Sequence, residues 1–272
     1  MKLLKFLPLI LALSCIDLLT QKTQYNSLYC KGGSWIEIAL IDSMKLASND
    51  FTLQFWVSGG EIDTNEAPAL FSLIDPSDKI TLALLRDPNN QHSITTIINS
   101  NISKHDIAEL DWSDPENFYL ISFLFSDNSD VKMYIDTTHV ISINSYLTSE
   151  DLNGNIDLTG EKLIISALAN KEQTILKNFW YGYIDEIRLW NTLLSDSTIK
   201  FQSEHPDKLS ENYRYTINGE EINTYLDSLI GIWRLNFEEP HSVIEDDSGY
   251  NNDGIIYTLK GYTVELSNKG VR

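Results

Sequence analysis

The chain has 272 residues, 42% hydrophobic and 22% charged, with 13 Gly and 7 Pro, a make-up that suits one substantial globular core and excludes a disordered or collagen-like polymer. Acidic residues number 39 against 20 basic ones, and the net charge of −19 repels phosphate backbones and anionic lipid surfaces, so nucleic acid is not an expected partner. Only Cys15 and Cys30 are present, which leaves neither a disulfide framework nor a cysteine-built zinc site.

Lys2 and Lys5 precede an apolar run at residues 6–13, and Ala12-Leu13-Ser14 brings small residues up to Cys15. The run is far shorter than the ~20 residues of a membrane-spanning helix. Residues 1–14 therefore read as an export signal that is cleaved. A Cys directly after a small residue at this place resembles the bacterial lipobox, in which cleavage leaves that Cys as a lipid-modified N-terminus. The alternative is an ordinary secretory signal with Cys15 unmodified. The lipobox reading implies lipidation at Cys15, a location in the cell envelope (outer surface or periplasm), and a lipid anchor as the sole membrane contact. Residues 15–29 then form a polar tether, residues 30–265 the folded domain and residues 266–272 a tail.

Beyond the tether the pattern is period two. At residues 34–40, Ile36, Ile38 and Leu40 share one face. Phe51, Leu53, Phe55 and Val57 alternate with Thr52, Gln54 and Trp56, and short apolar runs follow at 69–74, 80–85, 94–98, 118–125 and 131–135. Turn-forming clusters separate them, as at Asp75-Pro76-Ser77-Asp78 and Asp87-Pro88-Asn89-Asn90. Later strands are expected at 162–167, 181–191 and 229–237, with helical turns at 195–202 and 220–226. Many short strands with no βαβ alternation predict an all-β, two-sheet antiparallel jelly-roll sandwich.

Specific residues resemble a known family. Gly182-Tyr183-Ile184-Asp185-Glu186-Ile187-Arg188-Leu189-Trp190-Asn191, followed by Leu194-Ser195 and Ile199, is similar to the G-x-I-D-E-[VI]-R-[IL]-[WY]-N…L-S…I segment of laminin G-like, concanavalin A-like jelly rolls. Phe51-Thr52-Leu53-Gln54-Phe55-Trp56-Val57 and Val131-Lys132-Met133-Tyr134-Ile135-Asp136 resemble two further strands of that family. So do Gly231-Ile232-Trp233-Arg234-Leu235-Asn236-Phe237-Glu238 and the turn Asp247-Ser248-Gly249-Tyr250-Asn251-Asn252-Asp253-Gly254. The matches run from Gly33 to Tyr257.

The resemblance implies binding of an extracellular carbohydrate or protein by loops at the sandwich rim. It also implies Ca²⁺ as a cofactor, with Asp185 and carbonyls or a carboxylate near Asn236 or Glu238 as ligands of a hard cation. The competing reading of Asp185 is a carboxylate satisfying backbone amides or Arg188. The Asp247 turn places Asp or Asn at alternate positions but has Asn252 and Thr258 at the sixth and twelfth places, so it reads as a tight turn rather than an EF-hand loop.

Glu61-Ile62-Asp63-Thr64-Asn65-Glu66 is similar to the E-x-D-x-x-E motif of laminarinase-type retaining glycoside hydrolases. There Glu61 would be the nucleophile, Asp63 its helper and Glu66 the acid/base, a pair that needs carboxylates ~5 Å apart. Polar Thr64 and Asn65 with Pro68 close behind argue instead for a solvated loop, and binding without catalysis is the expectation. Among the tryptophans, Trp35, Trp56, Trp190 and Trp233 sit in strand patterns and are expected in the core. Trp112 and Trp180 are the candidates for exposed sugar-stacking faces.

Overall fold

The computed structural model describes residues 27–40, 50–74, 80–98, 101–126, 131–143, 162–169, 176–206, 214–217, 220–223, 226–235 and 242–270. The export signal with Cys15, most of the tether, and Glu238 lie outside the described residues. In chain order the strands are β1 (Ser27–Lys31), β2 (Ser34–Ala39), β3 (Phe51–Gly59), β4 (Ala69–Ile74), β5 (Ile80–Asp87) and β6 (Asn90–Ile98). Next come β7 (Asn101–Asp106), β8 (Tyr119–Phe125), β9 (Val131–Ile135), β10 (Thr138–Ile143), β11 (Lys162–Ile165) and β12 (Tyr181–Trp190). A helix, α1 (Asp196–Glu204), precedes β13 (Arg214–Ile217), β14 (Glu220–Asn223), β15 (Leu229–Arg234), β16 (Val243–Ile244), β17 (Gly254–Thr258) and β18 (Glu265–Ser267).

The period-two pattern is realised as two antiparallel sheets that bury their apolar faces against each other. The front sheet runs β10-β9-β8-β3-β12-β1-β18, and β15 shares with β1 one side of the long strand β12. The back sheet runs β16-β17-β2-β11-β4-β5-β6-β7, and β13–β14 form a separate pair. Between the sheets, Phe55 stacks on Phe71 with ring centroids 4.7 Å apart, and Phe71 meets Phe123 edge-on at 5.3 Å. Each such ring contributes about 1.5–3 kcal/mol by leaving water. The jelly-roll sandwich expected from the sequence is the fold.

All nine residues of β3 are buried because its outer face is covered as well. Trp190, Leu194 and Ile199 pack there with Leu124 and Ile232. Beside them Gln54 accepts from Trp190 Nε1 at 3.0 Å and donates to Ser122 Oγ at 3.0 Å. Ser195 caps α1 by accepting from the Thr198 amide.

Two local expectations differ, and one strand was not foreseen. Residues 220–226 were expected to be helical, but Glu220–Asn223 is strand β14, paired with β13, and only Leu226–Ser228 forms a 3-10 turn. Arg214–Ile217 and Glu220–Asn223 flank Asn218-Gly219 in the sequence, a dipeptide that favours a hairpin over a helix. Strand β1 begins at Ser27, so the front sheet takes in residues 27–29 of the stretch read as tether. Strand β7 escapes a hydrophobic-pattern search because its one aliphatic residue, Ile102, is 71% exposed on the edge of the back sheet.

Candidate functional site

Chemistry-bearing side chains gather at the end of the front sheet where β1 stops and β12 starts. Gly32 and Gly33, between β1 and β2, have φ of +82° and +70°, the left-handed region open to glycine. Their second role is steric. A Cβ on Gly32 would sit 2.6 Å from the Tyr181 hydroxyl, and one on Gly33 would sit 2.4 Å from the Tyr262 ring. The turn is thus a seat for two tyrosines. It is held by Gly32 N donating to Trp180 O at 3.2 Å and Leu259 N donating to Gly33 O at 2.8 Å.

Strand pairing extends the cluster along the outward face. Tyr29 lies opposite Tyr183 and Lys31 opposite Tyr181. The Tyr29 and Tyr183 rings stack with centroids 4.4 Å apart. Lys31 Nζ lies 5.3 Å from the Tyr29 centroid and Lys269 Nζ 5.2 Å from that of Tyr183. Glu265 and Glu116 pair with these two lysines in turn.

The Glu61, Asp63 and Glu66 segment joins the same rim. It is the connection from β3 to β4, not a strand, and all three carboxylates are exposed. Pro68 closes it, as the sequence suggested. The Tyr181 hydroxyl is hydrogen-bonded to the Asp63 carboxylate, and Tyr262 and Glu66 also act on it electrostatically. Glu61 acts in the same way on Tyr29. Tyrosines and carboxylates therefore line one rim, with Tyr262 50% exposed.

Burial, then the Asp63 hydrogen bond, pushes the Tyr181 hydroxyl far above the ordinary phenol range. On the outward face under α1, Tyr134 is pushed up to about 12 by burial and by its hydrogen bond to Asp196. Phenols raised in the fold above their unfolded value of about 10 contribute stability below that pH, and it is lost as pH rises through the folded values. Stability should therefore hold up to about pH 10 and decline above it. Tyrosinate absorbance should show part of the 13 tyrosines ionising only as the chain unfolds. Ionisation of every tyrosine near pH 10 with the fold intact would contradict this.

Trp112 and Trp180 do not offer the exposed faces expected of them. They are 0% and 1% exposed and meet edge-on with centroids 5.2 Å apart. Their polar neighbours mark turns in the backbone, and from those turns the indoles fold inward because burying so large an apolar area is favourable. They underlie the rim. Trp56, Trp190 and Trp233 are buried as expected, and Trp35 is half-buried.

Asp185 is buried in β12, where the pairing with β3 shifts register, and its carbonyl accepts from Leu235 N at 2.9 Å. Next to it Glu186 bridges Arg188 and Arg234, and Arg234 reaches Asp247 at 2.9 Å. Glu238, the other expected calcium ligand, lies outside the described residues. Among the described residues no three His, Cys, Asp or Glu side chains gather into a metal-binding group. The turn after Asp246 is structural: both oxygens of the Asp246 carboxylate accept hydrogen bonds from the surrounding backbone.

Residues 31–200 match the family described as the concanavalin A-like lectin/glucanases superfamily. Among solved structures, a Bacteroides ovatus protein provisionally described as carbohydrate-binding superposes with a TM-score of 0.54 at 9% identity. That match covers 89% of this chain and 59% of the Bacteroides chain. A heptameric SAP-like pentraxin from Limulus polyphemus gives 0.53 at 9% identity, covering 88% of this chain and 97% of the pentraxin. None of the curated proteins matches the sequence. At such identities the likeness is one of fold.

Proposed function

We infer, from the premise that this chain belongs to the concanavalin A-like lectin/glucanases superfamily, that it is an exported module that binds extracellular carbohydrate without cleaving it. The observation that carries this reading is the half-exposed Tyr262 beside Tyr181, with Asp63 bonded to the Tyr181 hydroxyl. Tyrosine rings present flat apolar faces for the C–H face of a pyranose, and adjacent carboxylates accept hydrogen bonds from its hydroxyls. Three exposed carboxylates on a chain of net charge −19 disfavour sialylated or sulfated sugars and favour neutral ones. Lipidation at Cys15 would hold the module at the cell envelope. Calcium, if bound, would take Asp185 and Glu238 among its ligands.

The experiment is calorimetric titration of the intact domain with laminarihexaose and cellohexaose, with and without EDTA. We expect binding that Tyr262→Ala weakens by about tenfold or more, in line with loss of a stacking anchor. Binding of a protein partner and of neither oligosaccharide would replace the carbohydrate reading. Release of reducing sugar from laminarin, lost in Glu61→Gln, would replace it with a hydrolase.

A further inference from the structure

Beneath the rim lies a charged side chain that packing alone does not explain. Arg86, in β5, is 5% exposed, and among the described residues no carboxylate pairs with it. Burying a guanidinium unpaired is costly unless its donors are placed on acceptors. Here one nitrogen, Nη1, donates to the Gly60 carbonyl at 2.9 Å and to the Tyr181 carbonyl at 3.1 Å. The backbone N–H of the same residue donates to the Pro68 carbonyl at 2.9 Å. The guanidinium carbon stands 5.8 Å from the Trp180 ring centroid, where the aromatic face offsets part of the desolvation. Burial pushes the guanidinium down to about 10, which is the sign of a charge held where solvent would not put it.

Gly60 and Pro68 flank the segment that carries Glu61, Asp63 and Glu66, and Tyr181 is the partner of Asp63. We propose that Arg86 is the positioning residue of the rim: its side chain ties the Gly60 end of the acidic connection to the first residue of β12, while the backbone at residue 86 holds the Pro68 end, and the tie sets Asp63 against Tyr181. The consequence for glycan binding rests on the carbohydrate reading above, whereas the clasp itself does not. Both bonds leave one terminal nitrogen, held in place by the planar guanidinium lying against Trp180, and a lysine would keep the charge while losing that planar contact.

The test compares the full chain with Arg86→Lys and Arg86→Met under native digestion by a Glu-specific protease, alongside titration with laminarihexaose. Cleavage after Glu61 and Glu66 reports opening of this segment, and cleavage after Glu37 and Glu186, in strands β2 and β12, reports opening of the sheets. We expect Arg86→Met to raise the first pair of rates by about tenfold while the second pair stays at wild-type levels, with Arg86→Lys between. Laminarihexaose affinity should fall in the same order. Unchanged cleavage after Glu61 and Glu66 in both variants would overturn the proposal, and so would an equal rise at all four sites, since Arg86 would then serve only the core. Should Arg86→Met not fold, Arg86→Lys decides by the same comparison. If wild-type protein binds neither laminarihexaose nor cellohexaose, the carbohydrate reading fails and the digestion still judges the clasp.

Discussion

Asp246→Ala is expected to remove about 3–5 kcal/mol of folding stability, a large share of what holds a single domain together. The carboxylate is buried, and each oxygen is doubly used. Oδ1 accepts from Ile232 N at 3.0 Å and Ser248 N at 2.9 Å. Oδ2 accepts from Asn252 N at 3.1 Å and Asn252 Nδ2 at 3.3 Å. The fixed Asn252 in turn presents its carbonyl to Trp233 Nε1 at 2.7 Å, so the loss spreads to a tryptophan with no exposed surface. Alanine leaves three buried donors, Ile232 N, Asn252 N and Asn252 Nδ2, without this acceptor, which costs more than the bonds themselves contribute. Asp246→Asn keeps the shape but has one accepting oxygen, and should fall between the two. Urea unfolding at constant m-value measures the change. A loss below about 1 kcal/mol would show that the turn is held by something else.

Gly182→Ala should be more severe, with little folded protein recovered. Gly182 has φ +148°, and an added Cβ would sit 2.2 Å from the Ser58 carbonyl oxygen and 2.9 Å from Trp180 Nε1. The first is backbone of the neighbouring strand and cannot swing aside. Its cross-strand partner Gly59 is equally confined, since a Cβ there would meet the Trp112 carbonyl oxygen at 2.0 Å. Separating β3 from β12 to admit a methyl group would loosen the sheet at its centre, and a cost beyond about 4 kcal/mol follows. Gly249→Ala is the control. It also has positive φ, +88°, but nothing lies within 4 Å of its added Cβ, so only the local backbone penalty of about 1–2 kcal/mol applies. Soluble yield and thermal melting of the two variants should differ sharply. Equal behaviour would mean that crowding at Gly182 is relieved elsewhere.

The sandwich was readable because its signal is local. The alternation of Phe51, Leu53, Phe55 and Val57 declares a strand and its inward face within seven residues, and the Asp185 segment does the same for β12. The rim was only half readable. Glu61, Asp63 and Glu66 stand out as a spaced acidic motif, and Pro68 shows that they do not ride a central strand. Tyr29, Tyr181, Tyr183 and Tyr262 did not stand out, because what unites them is strand pairing and a two-glycine seat between residues far apart in the chain. Trp112 and Trp180 misled for a related reason: flanking polar residues report the path of the backbone, and an indole is long enough to turn back under it. A turn can also be held by a side chain in place of glycine. After β9 the positive φ of +52° falls on Asp136, whose carboxylate accepts from Leu120 N.

The direction of β1 gives the molecule a polarity. Its first residue, Ser27, enters beside the middle of β12, next to the pair Leu28 and Ile184, and its last, Lys31, arrives opposite Tyr181, about 13 Å further on at the usual rise of a strand. The chain therefore runs along β1 toward the rim and meets the Tyr181 and Tyr262 faces where the strand ends at the Gly32–Gly33 turn. Five residues thus couple the interior of the front sheet to its edge, so that a shift of β1 would move the tyrosine seat with it.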